Sequence, residues 1–209
     1  MSHKVNPYLN RLGIIFDWRS SWIDNYKINI KEDYLIRNYI NNKKYSYYIS
    51  NILIERNINK INIIIFTSRP AIIIGKRGLE IINLKKSINN ILKNKYNLFV
   101  NIKEISLNSV DALLTAKNIA LQIKKGNSYK KIIIHTINYC YNKNINGIKV
   151  KISGRLNGVE IARSEFFQKG NIKLSTLRAN IDYGFYELLT KYGIISLKVW
   201  VMKEELIKI

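Results

Sequence analysis

One cysteine, two histidines and two prolines are all that 209 residues hold of those three types, and each shortage closes off a class of function. Cys140 alone makes no disulfide framework, and with His3 and His135 it falls short of a four-ligand zinc site. No apolar run approaches the roughly 20 residues of a membrane-spanning helix. The opening Met1-Ser2-His3-Lys4-Val5-Asn6-Pro7 lacks the apolar core of a secretory leader, so a soluble, intracellular protein with no membrane partner is expected. Carboxylates are scarce too, 14 Asp+Glu against 35 Lys+Arg. There is no close carboxylate pair, no Ser/His/Asp grouping, no Gly-x-x-x-x-Gly-Lys-Ser/Thr and no Gly-x-Gly-x-x-Gly. A lysine could act as a nucleophile on damaged DNA, but no lysine is set apart from its many neighbours. Neither enzyme activity, nor a metal, nor a cofactor is expected.

What the chain does hold is positive charge, +21 at neutral pH. Residues 1–107 carry 18 Lys+Arg and 7 Asp+Glu, and residues 108–209 carry 17 and 7. A basic tail on a neutral body would be lopsided; an even spread means that both halves face the same polyanion, for which nucleic acid is the usual candidate. An anionic membrane fits less well, because no terminal amphipathic helix pairs a lysine face with a bulky apolar one. With 47% hydrophobic residues the chain can build cores, and its length suits one large or two small domains. Ile, Asn, Lys and Tyr are crowded to a degree that points to A/T-rich codons in a reduced bacterial or organellar genome. Each Gly, Arg, Pro and Trp that persists under such a bias is therefore more informative.

The stretch Ile72-Ile73-Ile74-Gly75-Lys76-Arg77-Gly78 stands out: an apolar run that reads as buried, then a loop, then a helical pattern. Gly75 and Gly78 let the backbone come close to an anion, Lys76 and Arg77 supply charge, and the amides of the next helix aim at the same spot. Four residues alone would equally make a basic surface turn. Their surroundings favour RNA. A helix is expected from Glu32 and Asp33 to about Ser50, with strands at 52–54 and 61–66, the second closed by Pro70. A helical stripe of Ile81, Leu84, Ile88 and Ile91 and a strand at 98–102 follow. Helix, strand, strand, short helix, loop, helix, strand is the type II KH order, in which this loop clamps single-stranded RNA. Residues 1–28 show no period and read as an extended arm. Trp18 and Trp22 beside Arg19 would either stack on bases or pin the arm to the fold.

Leu107-Asn108-Ser109 reads as a boundary, with Asn108 or Ser109 starting a helix through Leu113, Ala116, Ala120 and Ile123 that stops at Gly126. Ser128 is placed to cap a second helix that buries Ile133, Ile137 and Cys140 and exposes Lys131, His135, Asn138 and Asn142. Lys130 and Lys131 at its start oppose the helix dipole, which a phosphate partner would help to explain. From Gly147 the period becomes two: Ile148, Val150 and Ile152 alternate with Lys149, Lys151 and Ser153. Strands are also expected at 159–167, 180–189 and 194–202. The fold class is α+β: residues 29–107 as a type II KH domain, then residues 108–209 as a two-layer α/β domain with two helices on a four-stranded, mostly antiparallel sheet.

Beyond these patterns, Lys4-Val5-Asn6-Pro7, Arg11-Leu12-Gly13-Ile14, Ser68-Arg69-Pro70, Ile74-Gly75-Lys76-Arg77-Gly78 and Ser153-Gly154-Arg155-Leu156 resemble one family. So do Glu160-Ile161-Ala162-Arg163-Ser164-Glu165, Leu177-Arg178-Ala179-Asn180-Ile181-Asp182-Tyr183 and Tyr192-Gly193 with Lys198-Val199-Trp200. It is the bacterial-type small-subunit ribosomal protein S-three family, and the likeness covers nearly the whole chain. The resemblance implies residence on small-subunit ribosomal RNA in the head, in the cytoplasm or an organelle. It also implies a place lining the channel through which mRNA enters, beside ribosomal proteins S-ten, S-fourteen and S-two. It assigns a basic cluster that helps open structured mRNA, two members of which fall on Lys130 and Lys131 and the third on Ile134. Arg155, Arg163 and Arg178 are expected either on ribosomal RNA or in salt bridges to Glu160, Glu165 or Asp182. A free KH-type RNA-binding factor in transcription or ribosome maturation is the alternative. Ala71, Tyr8-Leu9 and Lys173 depart from the family pattern.

Overall fold

The computed structural model describes residues 5–23, 25–93, 95–106, 109–143 and 145–205. It divides into two compact units, one of Trp18–Leu107 and one of Met1–Asp17 with Asn108–Ile209. The segment expected as an extended arm is thus shared: residues 1–17 belong to the second unit and the rest to the first. The boundary expected at Leu107-Asn108-Ser109 rests on Leu107 and Asn108, which lie outside the described residues, as does Lys4.

The first unit runs β1 (Ser20–Ser21), α1 (Tyr26–Asn41), β2 (Ile49–Arg56), β3 (Lys60–Thr67), α2 (Pro70–Ile74), α3 (Leu79–Ile91) and β4 (Asn97–Glu104). Apart from β1 this is the type II KH order. The sheet is ordered β1-β2-β3-β4, antiparallel only between β2 and β3. Parallel pairing of β3 with β4 requires a crossover, which α2 and α3 supply. Ile61, Ile63 and Ile65 of β3 meet Ile52 and Ile54 of β2, Ile36 and Ile40 of α1, and Leu84 and Ile88 of α3 in one core. A register shift between Ile49 and Asn51 lets Ile49 face that core as well, although it stands an odd number of residues from Ile52.

The helix expected from Glu32 begins a turn and a half earlier, at Tyr26, and ends at Asn41. Glu32 and Asp33 are therefore mid-helix. Their function is to neutralise Arg56, buried on β2, which donates to Asp33 Oδ1 from Nε at 2.8 Å and from Nη2, and to Glu32 Oε2 at 2.6 Å. Removing Arg56 would leave two acids uncompensated in the interior, and removing both acids would strand the guanidinium there. Arg37 on the same helix holds β1 in place through the carbonyls of Ile52 and Arg19, each at 2.7 Å, and Ser20 Oγ at 2.8 Å. Of the two tryptophans, Trp22 packs edge-on against Tyr26, whereas Trp18 is 72% exposed.

The second unit continues with α4 (Ala112–Lys124), α5 (Tyr129–Tyr141), β5 (Gly147–Gly154), β6 (Arg163–Gly170), β7 (Ala179–Thr190) and β8 (Gly193–Glu205). Its sheet, ordered β6-β5-β8-β7, is antiparallel throughout, and α4 and α5 cover one face. β6 starts four residues later than its pattern suggested. Asn157 and Gly158 adopt positive φ and turn the chain, and Arg155 then holds the Gly158 and Val159 carbonyls out of the sheet. Near the chain start Arg11 is fully buried and donates to the carbonyls of Pro7, Leu174, Thr176 and Ala179 at 2.7–3.0 Å. It fixes both the first residues and the loop that precedes β7.

α4 sits so close to β7 that a Cβ on Gly184 would come within 2.4 Å of the Ala112 backbone. Its start is capped by Asp111, which accepts from Leu114 N at 2.8 Å, and not by Ser109, while Asn108 lies outside the described residues; Asp182 of β7 accepts from Ala112 N at 2.8 Å. Ser128 does stand at the cap position of α5, but its hydroxyl makes no capping bond. Burial, then the nearby Asp111 charge, push the Asp182 carboxyl up. One turn into α4, burial brings the Lys117 ammonium down to about 8, against the pull of Asp111. Between that value and the 10.5 of an ordinary lysine, the folded chain has released a proton that the unfolded chain still holds. Raising the pH through this window therefore favours the folded state. Unfolding free energies at pH 8 and pH 10 should show the native chain gaining roughly 1–2 kcal/mol relative to a Lys117→Met variant. Parallel pH profiles for the two chains would mean that the site is not desolvated.

Candidate nucleic-acid interface

The Gly-Lys-Arg-Gly loop is shaped by the two short segments around it. Pro70 opens α2, a five-residue helix long enough for only one of its isoleucines to reach the core. Ile73 is fully buried, while Ile72 and Ile74 are 40% and 39% exposed, which corrects the expectation of a buried run. The chain then reverses with left-handed φ at Gly75 (72°), Arg77 (53°) and Gly78 (75°). Gly75 is needed for conformation and for room, since a Cβ there would lie 2.5 Å from Glu80 Cγ. Gly78 is needed for conformation only, since its Cβ would meet nothing. Gly78 is also the cap residue of α3, so no side chain covers the first-turn amides of that helix. Lys76 and Arg77 are exposed beside them, and Leu79 and Ile82 add exposed apolar surface against which a base could lie. The loop offers cations, helix amides with no capping side chain and an apolar shelf together.

The second unit presents a different surface. Lys130 and Lys131 are exposed in the first turn of α5, which holds no acid. Ile134, 51% exposed, and His135 continue the same side of the helix. Tyr129 is buried, and its hydroxyl contacts both Glu165 oxygens at 3.2 and 3.3 Å. Burial and the Glu165 charge push this phenol up, and Lys130 and Arg163 pull it back, so both cations stand at one corner of the unit. Farther along α5, Lys169 of the edge strand β6 donates to Asn138 Oδ1 at 2.9 Å and lies 4.7 Å from the Tyr141 ring centre. Sequence reading missed Lys169, whose register opposite Ile148 places it on the helix side.

The three arginines taken from the family motifs have separate fates. Arg155 is half-buried and donates to the carbonyls of Val159 (3.0 Å), Tyr192 (3.1 Å) and Gly158 (3.4 Å). Arg163 and Arg178 are exposed, at the start of β6 and just before β7. Of the acids offered as their partners, Glu165 is on Tyr129 and Asp182 on Ala112 N. Between residues 123–129, 155–158 and 189–192 lies an open cleft of about 690 Å³ with Lys124, Lys125, Arg155 and Lys191 in its lining. Among the described residues no group of three or more His, Cys, Asp or Glu could hold a metal ion, and no helix is long and apolar enough to cross a membrane.

Comparison with known proteins gives two family models. Residues 35–109 match the KH domain, and residues 119–201 match the C-terminal domain of ribosomal protein S3. Among curated relatives, the small ribosomal subunit protein uS3 of Karelsulcia muelleri is 50% identical over 206 residues, covering 99% of this chain and 90% of the relative. Proteins of the same name from Carboxydothermus hydrogenoformans and Dictyoglomus turgidum are 45% and 46% identical, covering 99% and 97% of this chain and 94% and 84% of their own lengths.

The geometry of the loop sets an order of sensitivity. Gly75→Ala should destabilise the first unit more than Gly78→Ala: Gly78 incurs roughly 1–2 kcal/mol of left-handed strain, whereas Gly75, at φ 72° and ψ 180°, holds a conformation essentially restricted to glycine and adds a clash with Glu80. Denaturant unfolding of the two variants checks this, and a larger loss at Gly78 would contradict the packing of Glu80 beneath the loop.

Proposed function

Since the chain belongs to the uS3 family of small ribosomal subunit proteins, we propose that it is a structural constituent of that subunit, holding ribosomal RNA through surfaces on both units. The observation that carries this reading is the left-handed Gly75–Gly78 turn, which places two exposed cations beside uncapped helix amides. In this reading Gly75 and Gly78 allow the sugar–phosphate strand to approach, and Lys76 and Arg77 meet its phosphates. Residues 29–107 act as the KH clamp and residues 108–209 as the second RNA-facing domain. Arg163 and Arg178 reach ribosomal RNA directly. Arg155 acts at one remove, by holding the loop over 155–159 in the shape that RNA meets.

Lys130 and Lys131 line the channel through which mRNA enters, and ribosomal proteins S-ten, S-fourteen and S-two are the neighbours. The molecule has no catalytic role: any opening of structured message is passive, by electrostatic trapping of parted strands. The cation missing at Ile134 makes that effect weaker than in relatives with three basic residues. The protein works on the ribosome, in the cytoplasm of a bacterial cell or the equivalent compartment of an organelle. The names of the relatives favour this resident role over that of a free RNA-binding factor.

Two measurements test the reading. Lys76→Asp with Arg77→Asp should weaken binding of the full chain to small-subunit RNA at least tenfold near 0.15 M salt. It should also flatten the log–log salt dependence by about 1.4–1.8, two phosphates' worth. The thermal midpoint should be unchanged, and full affinity in this variant would remove the loop from the interface. Separately, Lys130→Ala with Lys131→Ala should slow translation through a structured message while leaving an unstructured one unaffected. Equal rates on the structured message would end the proposal for α5.

A further inference from the structure

Because α4 and α5 cover only one face of the second unit's sheet, residues of the other parity form a face that no helix covers. One end of it is closed where Ile172 and Leu174 pack on Ile181, Trp200 and Met202. Across the remainder the register aligns one residue from each strand in a single row. Lys151 of β5 stands opposite Phe166 of β6 and Lys198 of β8, and Lys198 stands opposite Phe185 of β7. From edge to edge the row reads aromatic, lysine, lysine, aromatic.

This row is costly for a protein on its own. Like charges directly opposite on neighbouring strands repel, and among the described residues neither Lys151 nor Lys198 has an ion-pair partner. Of the carboxylates of this parity, Glu187 lies opposite Ser196 and Glu204 lies six residues beyond Lys198 on β8. The two rings are exposed, Phe166 at 66% and Phe185 at 42%. Lysine ammonium groups lie near them, Lys149 at 4.8 Å from the Phe166 centre and Lys198 at 5.7 Å from that of Phe185. A stacking ring at each end with cations between is the chemistry of a single-stranded nucleic-acid platform. Three interstrand steps set the rings about 14 Å apart, a span suited to the two or three bases that a four-stranded sheet accommodates. An acidic protein segment would satisfy the lysines but would leave the flanking rings unexplained.

We infer that this open sheet face is a second RNA-binding site, in which Phe166 and Phe185 stack on unpaired bases and Lys149, Lys151 and Lys198 hold the intervening phosphates. The inference rests on the RNA-binding reading above and extends it to a surface distinct from the glycine loop and from α5.

The test starts from the full chain already carrying Lys76→Asp and Arg77→Asp, so that the loop contributes nothing, and uses a fluorescent single-stranded RNA 12-mer. Adding Phe166→Leu and Phe185→Leu should lower the remaining affinity about tenfold or more, and Phe166→Tyr with Phe185→Tyr should restore it. Adding Lys151→Gln and Lys198→Gln instead should reduce the salt slope by about 1.4. Circular dichroism confirms that each variant is folded. In assembled small subunits, zero-length ultraviolet crosslinks should join peptides holding Phe166 or Phe185 to RNA. Unchanged affinity in the leucine variant, or equal competition by duplex RNA, would overturn the platform. Crosslinks from these peptides to protein alone would overturn it in favour of a protein partner. None of those results would touch the loop, which stands or falls on the Lys76/Arg77 variant in the otherwise native chain.

Discussion

Positive charge that the fold cannot neutralise from within is the constraint under which the rest of this molecule is arranged. Fourteen carboxylates face 35 cations, and the carboxylates best defined by the structure are spent on structural tasks. Glu32 and Asp33 are taken by Arg56, Asp111 and Asp182 cap α4, and Glu165 meets Tyr129. What remains on the surface is an excess of cations over acids, whose self-repulsion opposes the compact state. A polyanion relieves that repulsion and gains affinity from it, so binding and stability draw on one electrostatic source.

The two proposed phosphate sites are built in different ways. In the first, the cations are secondary to conformation. Three left-handed residues bring the backbone itself to the surface, and Glu80 in the first turn of α3 keeps the local dipole satisfied when nothing is bound. In the second, α5 starts with two lysines and no acid, the arrangement that a helix dipole disfavours. The first site is built to admit a strand closely; the second is under electrostatic tension that a phosphate removes. A clamp and a repelling edge are suited to different partners, which is why we propose ribosomal RNA for the one and passing message for the other.

Much of this was legible before any coordinates. Period two at 148–152, period 3.6 on α3, α4 and α5, and the glycine spacing of the loop depend on local physics, and the element order follows from them. What stayed hidden depends on contacts distant in sequence. Nothing local says that Glu32 and Asp33 serve Arg56, so in sequence they read as a helix start, six residues after the helix begins. Ile72 and Ile74 read as buried because a three-residue apolar run carries no information about a helix only five residues long. β1 pairs through two residues and has no period at all. The cation row on the open sheet face was half visible, as Lys149 and Lys151, but the strand pairing was needed to set Lys198 and the two phenylalanines beside them.

The scarcity of arginine sharpens its reading. Only nine of the 35 cations are arginine, in a chain that otherwise favours lysine, so each retained guanidinium marks a task that an ammonium performs poorly. Four of them show what that task is. Arg11 reaches four carbonyls, Arg155 three, Arg37 two carbonyls and a hydroxyl, and Arg56 a pair of acids. Each uses the planar fork to satisfy several acceptors at fixed angles, which a point charge on a flexible stem does not do. Arg77 and Arg163 are exposed instead. Their forks are matched by an acceptor with several oxygens in one place, and phosphate is such an acceptor. By this argument we propose the exposed arginines, more than the more numerous lysines, as the points at which an RNA backbone would be held in a defined geometry.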